Sequence, residues 1–205
     1  MTPVLDHISI CICTYKRPEL LKRLLLKLAK QETEGLFDFS IVIVDNDSAE
    51  SARQLVETFA CQSPLSIAYH VEAEQNIALA RNKCVENAKG EYLCFIDDDE
   101  FPEKNWLSTL YKACKQYEVE GVLGPVLPYF DEPPPKWIVR GKFYERPSPA
   151  NGTMLKWYET RTGNVLFRTN ILSDKRPFDP KLASGGEDRD FFKRMIEKGC
   201  RFVWC

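Results

Sequence analysis

The chain has 205 residues, enough for one domain that buries roughly 70% of the surface its unfolded form exposes. With 44% hydrophobic and 28% charged residues it is not a disordered sequence, and 28 Lys plus Arg against 30 Asp plus Glu leave no cationic excess for a phosphate backbone. Nucleic acid is therefore not expected as a partner. The start, Met1-Thr2-Pro3-Val4-Leu5-Asp6, has neither the basic opening nor the apolar run of a signal peptide. No apolar stretch approaches the ~20 residues that span a bilayer, so the expected location is cytoplasmic.

Residues 8–13 and 40–44 are continuous apolar, β-branched runs, which suit strands buried on both faces of a parallel sheet. Between them, Pro18 opens a helical pattern in which Leu20, Leu21, Leu24, Leu25 and Leu28 form one face, with Lys22, Arg23, Lys27 and Lys30 outside. A basic amphipathic helix also suits a membrane surface, but as a first crossover it is read as covering the sheet. The alternation continues with a helix over 49–60, a strand over 66–70, a helix over 77–88 closed by Gly90, a strand over 92–96, a helix over 103–117 and a strand over 121–127. This order predicts an α/β fold, a Rossmann-like, mostly parallel sheet with helices on both faces, whose ligands sit beyond the carboxyl ends of the strands.

Beyond Leu127 the texture changes. Asp131-Glu132-Pro133-Pro134-Pro135 and Arg146-Pro147-Ser148-Pro149 frame a stretch rich in aromatic residues, read as a long loop that is either a lid or a linker. The stretch 130–157, with Trp137, Tyr144 and Trp157, offers flat faces for an acceptor wall or equally for packing. Regular structure resumes with a strand over 165–168, a helix over 187–198 and a strand over 201–204. Ending on an apolar strand suggests a chain that continues in the natural protein.

The eight cysteines contain no C-x-x-C pair. Cys11 and Cys13 share a strand face, as a metal pair would, but the flanking Ile8, Ile10 and Ile12 favour core packing. The sharpest polar feature is Asp97-Asp98-Asp99-Glu100, four acids directly after an apolar strand. Either these cap the following helix as a solvated turn, or a hard cation such as Mn²⁺ or Mg²⁺ relieves their repulsion, taking one or two carboxylates plus phosphate oxygens. Asp45-Asn46-Asp47-Ser48 and Thr14-Tyr15-Lys16-Arg17 also follow strands and should converge with the acids on one sheet edge. Asp45 to Ser48 equally suit an N-cap. Arg81, on an otherwise small and apolar helix face, is a surface residue or a phosphate fork. Ser184-Gly185-Gly186-Glu187-Asp188 opens a helix with adjacent carboxylates, one of which suits a general base if it is not simply a cap.

In this order Ile10 to Arg17, Val44-Asp45-Asn46-Asp47-Ser48, Ala80-Arg81-Asn82, Gly90-Glu91-Tyr92, Asp97-Asp98-Asp99, Thr162-Gly163-Asn164 and Gly186-Glu187-Asp188 resemble the family 2 glycosyltransferases over essentially the whole chain. The resemblance implies the GT-A nucleotide-sugar fold and inversion at the anomeric carbon. It puts Thr14, Tyr15, Arg17, Asp45, Asn46, Arg81, Asp97, Asp98, Asn164 and Glu187 against the donor, and the metal on Asp99 with Asp97. Asp188 takes the position of the catalytic base. The implied division is one catalytic domain, with residues 1–128 holding the nucleotide sugar and 129–205 facing the acceptor. Many members carry two acids after the second strand, whereas Asn46 follows Asp45 here, so uracil, thymine and guanine are all open as the base. Many also continue to a His near the metal, which this chain does not reach.

The expected reaction is attack by an acceptor hydroxyl on the anomeric carbon of a nucleoside-diphosphate sugar, with UDP the first expectation. The expected acceptor is a saccharide or a lipid-linked saccharide, with peripheral association at the inner face of the cell membrane. A sugar-phosphate nucleotidyltransferase is the rival enzyme reading, but it needs a glycine-rich loop after the first strand, where Thr14-Tyr15-Lys16-Arg17-Pro18 has no glycine. A non-catalytic donor-binding module is the other rival.

Overall fold

The computed structural model describes residues 5–182 and 185–205; Met1 to Val4 and Ser184 of the sequence motifs above lie outside the described residues. In chain order the elements are β1 (Asp6–Thr14), α1 (Pro18–Leu28), β2 (Phe37–Asp45), α2 (Arg53–Gln62), β3 (Ile67–Val71), α3 (Ile77–Asn87), β4 (Tyr92–Phe95), α4 (Trp106–Gln116), β5 (Gly121–Leu123), α5 (Lys136–Gly141), β6 (Val165–Arg168), α6 (Glu187–Glu197) and β7 (Phe202–Trp204). The strands form one seven-stranded sheet ordered β3-β2-β1-β4-β6-β5-β7. All pairings are parallel except those of β6, which runs antiparallel to both β4 and β5. The mostly parallel α/β sheet is thus as expected. The simple alternation is interrupted because β6 returns from the long excursion after β5 and inserts between two strands that are consecutive in sequence.

Sequence patterning understated the first strands and overstated several helices. β1 and β2 pair over nine residues, Asp6 with Phe37 through Thr14 with Asp45, because the ladder needs only backbone groups and so runs on past the apolar runs into residues such as Asp6, His7, Asp38, Thr14 and Asp45. α2 starts at Arg53 rather than 49, since Glu50 sits at φ 56° and residues 47–53 are spent on two successive turns, Glu50 N to Asp47 O and Arg53 N to Glu50 O. A left-handed residue cannot belong to a right-handed helix. α4 likewise starts at Trp106 rather than 103, after a turn in which Trp106 N bonds Glu103 O. β5 stops at Leu123, short of 127, as the Gly124-Pro125 step brings in a residue with no N–H to donate. The stretch 130–157 is not structureless, for it contains α5.

The sheet separates two apolar layers. On one side α1, α2 and α4 bury Leu21, Leu24, Leu25, Leu28, Val56, Leu107 and Leu110 against Ile8, Ile10, Ile12, Ile41 and Ile43. On the other, α3 and α6 cover Cys11, Val44, Phe95, Val165 and Phe167, and six phenylalanines, Phe95, Phe167, Phe178, Phe191, Phe192 and Phe202, pack ring against ring. Each such ring contributes on the order of 1.5–3 kcal/mol by leaving water. All eight cysteines are free. Cys11, Cys84, Cys94 and Cys114 are buried as expected, and Cys61 is exposed.

α3 departs from the amphipathic pattern. Arg81 and Asn82 are buried beside Ala78, Ala80, Cys84 and Val85, so the helix is enclosed rather than one-sided. Its polar groups are satisfied by a segment far along the chain: Asn82 donates to Phe178 O and accepts from Phe178 N, and Asn76 donates to Pro180 O. Asn76 also caps the helix, accepting from Ala78 N and Leu79 N. These bonds bolt residues 178–180, and hence the approach to α6, onto α3.

Candidate functional site

The carboxyl ends of β1, β2 and β4 open on a cavity of about 410 Å³ lined by Cys13, Thr14, Tyr15, Arg17, Asn46, Gln75, Asn76, Ile77 and Asp97 to Asp99. Thr14, Tyr15, Arg17, Asn46, Asp97, Asp98 and Asp99 are thereby brought together, as the strand-end argument required. Asp45, Arg81, Asn164, Glu187 and Asp188 do not line this cavity.

Within the acid tier the carboxylates do different work. Asp98 is buried, accepting from the Thr14 hydroxyl at 2.7 Å and from Arg17 Nη1 at 3.2 Å. Arg17 also reaches Asp99 at 3.1 Å, where both side chains are about half exposed. Asp98 is a tie between the first and fourth strands, whereas Asp97 and Asp99 face the opening. Desolvation raises the Asp97 carboxyl above its ordinary range, the charges of Asp99 and Asp188 add to this, and Arg81 and Arg17 oppose it. Desolvation likewise raises Asp98, against its Thr14 bond and Arg17. Glu100, next to Asp97, is pushed up to about 8 by burial and by the Asp97 charge. Burial, with the neighbouring carboxylate charges behind it, thus disfavours the charged form at three of the four acids. Among the described residues no three metal-ligating side chains converge into a cage. Asp97 and Asp99, the more exposed carboxylates of an all-oxygen cluster, fit Mg²⁺ or Mn²⁺, ions that take one or two carboxylates and complete their shell with water and phosphate.

Asp45 and Asn46 are engaged by their own scaffold. Asp45 is fully buried, accepting from Asp47 N at 3.1 Å, Ala52 N at 2.8 Å and the Tyr69 hydroxyl at 2.9 Å. Asn46 donates to Glu72 O and Glu74 O and accepts from Asn76 N, which uses both amide hydrogens and one lone pair. It shapes the cavity wall by holding residues 72–76 in place.

Arg81 is likewise taken up, in a buried ion pair with Glu187 Oε1 that joins α3 to the first turn of α6. Glu187 Oε2 is buried without a partner among the described residues. Beside it Asp188 is half-buried, accepts from Arg189 N at 2.7 Å and is close enough to raise the Asp97 carboxyl. Asp190 instead pairs with Arg194 at 2.8 Å. Gly185 and Gly186 precede the helix at φ 118° and 102°, a backbone that side chains disfavour, so the two glycines set how α6 enters the site.

Asn164 lines a second cavity of about 800 Å³ beside the acid tier, shared with Asp99, Glu100, Phe101, Trp106 and Tyr129. Its carboxamide accepts from the Trp106 indole at 2.7 Å and donates to Pro125 O at 2.7 Å, and its φ of 56° is one that Asn tolerates well. A Cβ on the neighbouring Gly163 would lie 2.9 Å from Glu100 Oε1 and 3.1 Å from Asp97 Oδ2, so that glycine admits the acids behind β6. Trp137, Tyr144 and Trp157 line neither cavity. Gln75, Asn76 and Ile77 were not among the residues expected at the site, and Glu100 was read only as the last of four acids. For Asn76 the signal was present, an Asn directly before a helical run; for Glu100 it was hidden in the acid run, since only the fold separates the four carboxylates by burial.

The model of the family described as glycosyl transferase family 2 matches residues 9–174. The chain belongs to this family. It is 38% identical over 192 residues to the succinoglycan biosynthesis protein ExoM of Rhizobium meliloti, covering 92% of this chain and 61% of ExoM. With the chondroitin synthase of Escherichia coli it shares 25% identity over 234 residues, covering 97% of this chain and 33% of the synthase. The chain thus spans less than two thirds of the length of these relatives. Among solved structures it superimposes on S. aureus TarS 1-349 in complex with UDP-GlcNAc with TM-score 0.73 at 20% identity, covering 97% of this chain and 56% of that one. It superimposes on the mannosyltransferase PcManGT of Pyrobaculum calidifontis, in complex with GDP-Man and Mn²⁺, with TM-score 0.72 at 16% identity, covering 98% and 55%. At those identities the likeness is one of fold, and the fold is the GT-A type.

Proposed function

We propose that this chain carries the catalytic unit of an inverting glycosyltransferase that moves a sugar from a nucleoside diphosphate to an acceptor hydroxyl. The observation that carries the reading is the difference in exposure within the acid tier: Asp98 is buried against Thr14 and Arg17, while Asp97 and Asp99, the latter also touched by Arg17, stand exposed at a cavity of about 410 Å³. The nucleotide lies in that cavity. Tyr15 offers a ring face at its edge, Asn46 holds the wall formed by residues 72–76, and Arg17 lies beside the diphosphate.

Asp99 with Asp97 would hold Mn²⁺ or Mg²⁺, which neutralises charge on the departing diphosphate when bound. Asp188 accepts the proton of the acceptor hydroxyl as its oxygen bonds to the anomeric carbon and the bond from that carbon to the diphosphate oxygen breaks. Attack comes from the face opposite the leaving group, so the anomeric configuration inverts. The Arg81–Glu187 pair holds the first turn of α6, and so Asp188, against α3 beside the donor. The Asn164 bonds to Trp106 and Pro125 hold the wall of the second cavity on the acceptor side. In this reading residues 1–128 form the donor half of a single domain and 129–205 the acceptor half.

Since ExoM is named for succinoglycan biosynthesis and TarS was solved with UDP-GlcNAc, we take the donor to be a UDP-sugar and the acceptor a growing saccharide, free or lipid-linked, on the cytoplasmic side of the membrane. The nucleotidyltransferase reading finds no glycine in Thr14-Tyr15-Lys16-Arg17-Pro18 to cradle a triphosphate. The test is a thermal-shift series of UDP, TDP, GDP and their sugars with and without Mn²⁺, followed by release of free nucleoside diphosphate on adding acceptor. Stabilisation by nucleoside triphosphates alone would overturn the reading in favour of nucleotidyl transfer.

A further inference from the structure

We propose that residues 136–146 form a docking surface for an anionic phospholipid bilayer. The segment reads Lys136-Trp137-Ile138-Val139-Arg140-Gly141-Lys142-Phe143-Tyr144-Glu145-Arg146, four cations against one acid in a chain whose net charge is −2. That acid, Glu145, pairs with Lys142 at 3.1 Å, which leaves the other three cations of the segment in excess. α5 buries none of its residues, and apart from the half-buried Ile138 the apolar side chains of the segment stand in solvent: Trp137 is 65% exposed, Val139 60%, and beyond the helix Phe143 66% and Tyr144 55%. The rings pack on one another rather than into the core, Trp137 against Phe143 at 5.9 Å and Phe130 against Tyr144 at 6.0 Å. A Cβ at Gly141 would overlap the Phe143 ring, so the glycine lets that ring fold back along the helix end.

Exposed apolar patches of this kind, set among cations, mark an interaction surface. Charge complementarity selects the partner. Lys136, Arg140 and Arg146 have no ion-pair partner among the described residues, and they share an eleven-residue stretch with the exposed rings. Tryptophan, phenylalanine and tyrosine settle at the headgroup boundary of a bilayer, and neighbouring Lys and Arg meet anionic headgroups there. α5 spans only six residues, so docking is shallow, reversible and salt-sensitive. The segment also has a fixed root. Arg23 of α1 stacks on Tyr129 at 4.3 Å and on Phe101 at 4.0 Å and pairs with Asp131 at 3.3 Å, which ties the start of the excursion beside the second cavity.

The test is co-sedimentation of the chain with vesicles of phosphatidylglycerol in phosphatidylcholine, compared with phosphatidylcholine alone, at low and high salt. No sugar donor is needed, so failure here is distinguishable from failure of the catalytic reading. Partition into the anionic vesicles is expected, weakened by salt, about a hundredfold lower for Lys136→Glu/Arg140→Glu and about tenfold lower for Trp137→Ser/Phe143→Ser. Both variants should keep the parent unfolding midpoint, because these side chains touch no core. Equal partition into neutral vesicles, no partition at all, or indifference to both double variants would overturn the proposal. So would concentration-dependent self-association lost in the same variants, which would give the surface to a second copy of the chain.

Discussion

Arg81 of α3 and Glu187 of α6, 106 residues apart in sequence, form an ion pair in which both side chains are at most one-tenth exposed. Breaking such a pair from one side leaves an uncompensated buried charge, which costs about 3–5 kcal/mol, whereas replacing both with apolar groups is often neutral. Glu187→Ala should therefore lower stability by about 3 kcal/mol. Arg81→Met/Glu187→Leu should cost far less than the two single changes together, a coupling that chemical denaturation of all four forms will measure. The double variant also asks whether Arg81 touches the donor. Parent-like nucleotide affinity in it would confine Arg81 to positioning α6.

Metal dependence of donor binding should run through Asp99. Asp99→Asn keeps the size of the side chain and an oxygen toward Arg17, but removes half of the open carboxylate pair. Calorimetry should find the affinity for UDP reduced by at least about tenfold in Mn²⁺, as expected for losing a charged contact of about 1.5–3 kcal/mol, and little altered in EDTA. If the parent chain binds UDP equally well with and without metal, the acid tier is not a metal site.

The carboxyl-edge cluster was legible in the sequence because it depends only on which strands are parallel, and the apolar runs at 8–13, 40–44 and 92–96 declare that plainly. What each side chain does there was not legible. Asn46 reads as a base contact when only its position is known, yet its amide is consumed by Glu72 O, Glu74 O and Asn76 N, three groups of a loop with no periodicity of its own. Arg81 could be placed on a helix but not paired, since its partner lies more than half the chain away. The position of β6 was also hidden. Antiparallel insertion between β4 and β5 is a property of the return path of the 124–164 excursion, and nothing local to Val165–Arg168 encodes it.

The bonding of Asn46 makes its own prediction. Asn46→Ala releases the loop 72–76 and leaves Asn76 N and two carbonyls without partners, so all nucleoside diphosphates should bind more weakly by about 1–3 kcal/mol, with their order of preference retained. Tyr69→Phe, which removes one of three donors to buried Asp45, should cost about 1 kcal/mol of stability with nucleotide affinity unchanged. A selective loss for one base in Asn46→Ala would instead mean that its remaining lone pair reads the base directly.

Three acids begin α6, and their surroundings separate them. Glu187 is buried in its pair with Arg81, and Asp190 is tied to Arg194 one turn along. Asp188 is half-buried, accepts only the N–H of Arg189 among the described residues, and its charge helps to raise the Asp97 carboxyl. It is thus the one of the three that no Lys or Arg side chain holds among the described residues. Asp188→Asn preserves shape and the bond from Arg189 N while removing the proton acceptor, so sugar transfer should fall about 10²- to 10⁴-fold with donor affinity and unfolding midpoint nearly unchanged. Glu187→Gln is the control: the carboxamide can still accept from Arg81, and its loss of rate should come with loss of stability, because it acts by holding the helix. Single-turnover transfer, nucleotide titration and thermal unfolding of the two variants separate these outcomes. Near-normal transfer by Asp188→Asn, or a rate loss that tracks its donor affinity, would move the base to Glu187, whose Oε2 is buried without a hydrogen-bond partner among the described residues.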